Sequence, residues 1–205
     1  MRRLYRIKVY IIMNNVFIHI PKTAGKSVRL ALNKHQVDFT DLGHSNKNID
    51  VLFSDLEIFT FCFVRNPAER LKSAFFHLIE FYDLIDKNNP TNFESEIISL
   101  KEKYGSDFKK FILDSGFKKF KIAHFYPQTL WTHTENNKIS FIGRFEDLNN
   151  SWKELSNILG VKYKPLEHVN DTKLISYIDN KSDYNNEMLR IVKCYYKDDY
   201  KKLGY

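Results

Sequence analysis

The stretch Phe17-Ile18-His19-Ile20-Pro21-Lys22-Thr23-Ala24-Gly25-Lys26-Ser27 constrains this chain more than any other part of it. An apolar run, Val16 to Ile20, leads into a turn holding Pro21 and Gly25. A helical pattern then runs to about Lys34 and buries Val28, Ala31 and Leu32. Strand, tight turn and helix in that order predict the opening of a parallel βαβ unit. Such a turn aims backbone N–H groups and a helix N-terminus at one point, which makes an anion site. Lys22 brings a positive charge to it, and Thr23, Ala24, Gly25, Lys26 and Ser27 complete the cradle. A helix cap alone would account for Gly25-Lys26-Ser27 but not for the apolar strand ahead of it.

Two further apolar runs, Phe59 to Val64 and Ile139 to Ile142, read as buried strands, each followed by polar residues and a helical pattern. The predicted fold class is α/β, with three layers and a central, mostly parallel sheet flanked by helices. The second helix has a legible start: Asn66 caps it, Pro67 takes the first position and Glu69 stands where a capping-box acid belongs. Leu71, Ala74, Phe75, Leu78 and Tyr82 form its apolar face, with Arg70, Ser73 and His77 on the opposite one. A third helix is predicted near Ser151 to Leu159, stopped by Gly160, and a last one over roughly Ser182 to Tyr200. The length of 205 residues suits a single domain over 1–205, with a mainly helical, Lys- and Phe-rich insertion or lid at about 83–122.

Charge enters next. Thirty-two Lys and Arg against 25 Asp and Glu give +7, which favours an anionic ligand or surface. Part of the surplus lies in Phe108 to Lys121, where Phe-Lys-Lys-Phe occurs twice. Those lysines read as the solvated face of an amphipathic helix, with a grip on an anionic glycan as the alternative. A hydrophobic content of 43% excludes intrinsic disorder. Cys62 and Cys194 make no disulfide framework, and no metal-ligand cluster is legible among the seven His. Cys62, inside an apolar run, reads as a small buried residue. The apolar stretch Val9 to Met13 is too short for a signal peptide, and Ile58 to Val64 is far below a membrane span. A soluble, cytoplasmic protein with no membrane span is the expectation.

Gly25-Lys26-Ser27 would end a Walker A loop if a glycine stood five residues before Gly25, but Ile20 stands there. The second strand ends in Val64-Arg65 and not in an Asp that could serve magnesium. An ordinary nucleoside-triphosphate site is therefore disfavoured. Arg65 marks a second anion site on the neighbouring strand end. Ser73 lies seven helical steps past Asn66, roughly 10 Å along the axis, and can share a ligand with Arg65 if the helix lies alongside it. Two such sites suit a ligand with two separated phosphates.

Taken together, His19-Ile-Pro-Lys-Thr-Ala-Gly25 and Val64-Arg-Asn-Pro-Ala-Glu-Arg-Leu-Lys-Ser-Ala74 resemble the carbohydrate sulfotransferases that use 3′-phosphoadenosine 5′-phosphosulfate (PAPS). The resemblance continues through Gly43-His44, Pro127-Gln128-Thr129, Phe141 to Leu148, His168-Val-Asn170 and Tyr196-Lys-Asp-Asp199, so it spans nearly the whole chain. Lys26 departs from it, since a Thr is more usual there. The resemblance implies a P-loop-like sulfotransferase fold. It implies that Lys22 to Ser27 hold the 5′-phosphosulfate, with Lys22 stabilising the departing phosphate. Arg65 and Ser73 would hold the 3′-phosphate, and the product would be adenosine 3′,5′-bisphosphate.

No metal is required by that chemistry, since a positioned Lys and backbone N–H groups can carry the developing charge. The acceptor hydroxyl must lose a proton, and His44 matches the family's Gly-His base position. An exposed loop histidine is the plainer reading of His44. His77, His124 and Gln128 are candidates for contact with a saccharide acceptor, neutral or anionic, although His77 also fits a solvated face. His19 reads as a packed histidine within its strand, Arg144 and Glu146 as a salt bridge between loops, and His168 to Lys173 as a loop over the nucleotide. An ATP-dependent kinase of a small molecule or glycan is the alternative, and a basic nucleic-acid-binding protein a distant one, since no recognition helix or aromatic platform is present.

Overall fold

The computed structural model describes residues 14–44, 58–133, 139–167 and 183–205. The stretch Val9 to Met13 and the proposed nucleotide loop His168 to Lys173 lie outside the described residues. Among the described residues four strands form one parallel sheet: β1 (Asn14–Ile18), β2 (Phe39–Asp41), β3 (Ile58–Val64) and β4 (Phe141–Arg144), in the spatial order β2-β1-β3-β4. The fold is α/β, as the alternating pattern predicts. β2 has three residues, too few for a period-two signal, and the sequence gives no hint of it.

Alternation along the strands sends side chains to opposite faces. Phe17, Phe61, Phe63 and Phe141 pack with Val28 and Leu32 of α1 (Gly25–Lys34) and with Trp152 and Leu155 of a later helix, Leu148–Ile158. Val16, Ile18, Cys62 and Val64 pack on the other face against Trp131 and Leu203. α1 runs over the residues that its periodicity marks. β1 ends earlier than its apolar run: Ile20 N donates to Ile18 O at 3.2 Å, so the chain turns and His19 lies just past the strand.

α2 (Pro67–Phe81) begins as the sequence predicts, with Asn66 Oδ1 accepting from Ala68 N at 3.0 Å and Glu69 N at 3.3 Å. The face of α2 opposite its apolar one is covered as well. Arg70 is fully buried and Ser73 is 5% exposed, because α2 is covered on both sides. The outer cover is α3 (Asn92–Tyr104) and α4 (Phe108–Leu113), whose Ile97, Leu100, Phe108 and Phe111 join Phe75, Phe76 and Ile79 in one apolar cluster. In the Lys- and Phe-rich segment, Phe108, Phe111, Phe117 and Phe120 are buried, while Lys109, Lys110, Lys118, Lys119 and Lys121 are exposed.

The short α5 (Thr129–Thr132) precedes β4, and α6 (Leu148–Ile158) follows it. The single C-terminal helix predicted over Ser182 to Tyr200 is two: α7 (Asn186–Tyr195), capped by Asn185, and α8 (Lys197–Leu203). The break falls at Tyr196, whose hydroxyl donates to Phe125 O at 2.6 Å. Just beyond it Asp199, fully buried, accepts from Gln128 N at 2.8 Å, Thr129 N at 2.9 Å and Thr129 Oγ1 at 3.0 Å. Asp199→Ala orphans those three donors and is expected to cost on the order of 3 kcal/mol or more, with Asp199→Asn costing less. Urea unfolding of the two variants tests it, and a loss below about 1 kcal/mol for Asp199→Ala would show that water replaces the carboxylate freely.

Candidate functional site

Between β1 and α1 the backbone enters the left-handed region twice at residues with side chains, at Lys22 (φ 67°) and Ala24 (φ 69°). Alternation of this kind turns successive N–H groups toward one point, the geometry of an anion nest. No side chain caps α1 and its first turn carries no acid, so its dipole end is left to a ligand. Thr23 Oγ1 donates inward to Ile20 O at 2.9 Å, so this hydroxyl braces the loop. Gly25 is required by contact: a Cβ there would stand 1.9 Å from His19 Nε2. The ring of His19 thus forms the floor beneath the loop.

Positive charge gathers at this point. Burial, followed by the repulsion of Arg65 and Lys26, pushes the Lys22 ammonium down to about 8, against a smaller opposing pull from Glu80. Arg65 sits just past β3 with its guanidinium 4.1 Å from the centroid of Phe145. Burial also lowers its pKa, opposed by Glu69 and Glu146. Its backbone is gripped on both sides by one amide: Arg65 N donates to Gln128 Oε1 at 2.9 Å, and Gln128 Nε2 donates to Arg65 O at 2.8 Å. Gln128 is fully buried and also meets Asp199, so the residue expected to touch an acceptor instead sets the position of Arg65.

Arg70, which the sequence placed only on a helix face, donates to Pro21 O at 3.4 Å, to His124 O at 3.1 Å and to Tyr126 O. It ties the anion loop to the segment that precedes Gln128. Ser73 lies on the same helix, between Arg70 and His77. Arg144 and Glu146 do not form the expected salt bridge, because Tyr205 comes between them. Glu146 accepts from Asn66 N at 2.6 Å and Tyr205 Oη at 3.0 Å. Arg144 donates to Leu203 O at 2.6 Å and lies 4.8 Å from the Tyr205 ring centroid. Beside the loop a cavity of about 230 Å³ is lined by Ser27, Phe145, Glu146, Leu148 and Leu166 among others.

Four histidines line up next to the cations. Ring centroids are 4.7 Å apart for His19 and His44, 5.0 Å for His44 and His124, and 5.9 Å for His124 and His77. Burial, then His44, pushes His19 down to about 4, and burial, then Lys22 and Lys26, does the same to His77. His124 is driven well below its ordinary value by burial and by His44. Burial lowers His44 too, with Asp41 pulling the other way, yet His44 keeps an exposed edge. The row is therefore neutral near pH 7, and a neutral imidazole with an open edge can take a proton. The structure brings together Lys22, Lys26, Arg65, His44, His77 and His124 from stretches far apart in sequence. His77 belongs to this row and is half-buried, contrary to a solvated face.

A model of the Sulfotransferase family matches residues 10–205, and the chain belongs to that family. It is a sulfotransferase, and membership implies PAPS as its donor. No curated protein and no solved structure matches the chain. Among the described residues no helix is long and apolar enough to cross a membrane.

Two pH dependences follow from these shifts. The unfolded chain binds protons at its histidines near 6.5 while folded His19 and His77 resist them to about 4, so stability is complete above 6.5 and is lost as pH falls toward 4. The Tm should drop steadily from pH 6.5 to 5, less so in His77→Gln; a flat profile would count against the buried row. A bound dianion favours charged Lys22, so affinity for adenosine 3′,5′-bisphosphate should be full below about 8 and decline as pH rises through it. Calorimetry of the wild type and Lys22→Met tests this, the variant being expected to lose the slope; equal slopes in both would remove Lys22 from the anion site.

Proposed function

We propose that this sulfotransferase moves a sulfuryl group from PAPS to a hydroxyl of a saccharide, with His44 as the general base and Lys22 as the charge stabiliser. The observation that carries the reading is the group of cations at the loop, where burial, then the charges of Arg65 and Lys26, hold the Lys22 ammonium below its ordinary value. Such a donor set fits a ligand bearing negative charge at two places. The loop Lys22 to Ser27, with two left-handed residues and an uncapped helix start, would hold the 5′ end. Arg65, fixed by Gln128, and Ser73 on α2 would hold the 3′-phosphate. When bound, the donor supplies an activated sulfuryl group and leaves as adenosine 3′,5′-bisphosphate.

The chain's own part is electrostatic and acid–base. Lys22 and the loop N–H groups stand ready to hold charge on the departing phosphate side, where fixed donors act without reorganisation. His44 accepts the acceptor's hydroxyl proton as the oxygen turns nucleophile, and its neutrality makes it competent to do so. Support for a saccharide comes from the wall beyond His44. His124 and His77 offer uncharged hydrogen-bonding rings, and Phe93, 41% exposed and stacked 6.0 Å from His124, offers a flat apolar face. Together these suit a molecule with hydroxyls on one side and C–H groups on the other.

Thermal unfolding with adenosine 3′,5′-bisphosphate, set against ATP with magnesium, tests the donor. At about 100 times its Kd a ligand adds ~2.7 kcal/mol, roughly 5–10 °C in Tm for a chain of this size. Arg65→Ala should lose about 1.5–3 kcal/mol of bisphosphate binding with ATP binding little changed. A shift with ATP and magnesium alone would overturn the reading in favour of a kinase.

A further inference from the structure

His44 hangs from a turn whose geometry is set by Asp41, the last residue of β2. Asp41 Oδ1 accepts from Gly43 N at 2.8 Å, closing the turn at a glycine with φ +58°, and Oδ2 accepts from Arg29 at 3.1 Å. The same Oδ1 lies 4.0 Å from His19 Nδ1, a buried ring nitrogen with no hydrogen-bond partner. His19 is stacked 5.4 Å from Phe17, occupies the space that a Cβ on Gly25 would fill, and meets the edge of His44. The base therefore rests on a ring that also floors the anion loop, with a carboxylate behind both.

We propose that Asp41 and His19 are positioning residues for His44: Asp41 holds its turn and offsets the charge that the ring gains, and His19 locks the ring to the anion loop. The inference rests on the reading of His44 as the general base. The charged or titratable groups that face His44 are Asp41 and Arg29 at its back, Lys22 and Lys26 from the loop, and the rings of His19 and His124. Asp41 alone among them is negative. It raises the proton affinity of His44 and His19, and Arg29 lowers both. A carboxylate placed this way keeps basic a ring that burial and five nearby cationic or imidazole groups would otherwise make a poor proton acceptor.

Two variants with opposite expected signs test it. Asp41→Asn keeps an oxygen for Gly43 N but removes the charge. The acidic limb of its kcat/KM profile should move down by about one pH unit and kcat should fall, with bisphosphate affinity unchanged. Arg29→Gln, at a partly exposed side chain outside the site, should move the same limb up. An NMR titration of the His44 ring in the wild type and Arg29→Gln reads the shift without turnover, should Asp41→Asn fail to fold. Limbs and ring titrations that stay in place, or that move together in one direction, overturn the proposal. His44→Gln separates this failure from that of the parent reading. Loss of ~10²–10⁴-fold in turnover there, with an inert Asp41→Asn, leaves the base standing and removes only its support; wild-type turnover in His44→Gln removes the base itself.

Discussion

One guanidinium holds the two halves of the site in register. Arg70 is fully buried, and its donors go to three backbone carbonyls, those of Pro21, His124 and Tyr126. Pro21 opens the anion loop, and the other two belong to the strand of chain that brings His124 and Gln128 inward. Burial opposes the charge on Arg70, while Tyr196 and Asp199 favour it. A fixed fork of N–H groups suits this task in a way a Lys could not, because it meets several acceptors at once without changing shape. Without that tie, the loop and the histidine row would be separate surfaces of a helix-covered sheet.

A second chain of contacts starts at the C-terminus. Asp199 is buried behind the break at Tyr196 and gathers the backbone of Gln128 and Thr129; Gln128 then clasps Arg65 on both sides. Tyr205 supports the same region from outside through Glu146, which receives Asn66 N at the start of α2. The Arg65 guanidinium is thus aimed by its main chain, and its side chain lies over Phe145. The pieces that meet here are 140 residues apart at their extremes, Arg65 and Tyr205, which is why the fold must close before the site exists.

Electrostatics divides the site in two. The loop side is rich in cations that repel one another and lacks an acid in the first turn of α1, a condition that an anionic ligand relieves. The histidine side is kept neutral by burial and by those same cations. One region of positive charge therefore lies beside imidazoles that burial and those same charges hold neutral.

The local signals were legible because they are short-range. The strand–turn–helix at Val16 to Lys34, the Asn66-Pro67 cap and the amphipathic Phe-Lys pattern each depend on neighbours a turn or two away, and each formed where the sequence placed it. What misled were features set by packing from a distance. Arg70 looks like one more polar residue on a helix face until the carbonyls of Pro21, His124 and Tyr126 enclose it; Gln128 looks like a ligand contact until Asp199 turns it inward; the last helix looks continuous until Tyr196 finds Phe125 O. β2 carried too few residues to show a period, and with it went any sign that Asp41 would stand behind His19 and His44. The sequence by itself determined the class of fold, the anion loop and the cation at the next strand end, because propensity, capping and charge act along the chain. Only the tertiary structure decided which polar groups are spent in the interior and which face a ligand, because burial and hydrogen-bond partnership are properties of residues brought together from far apart.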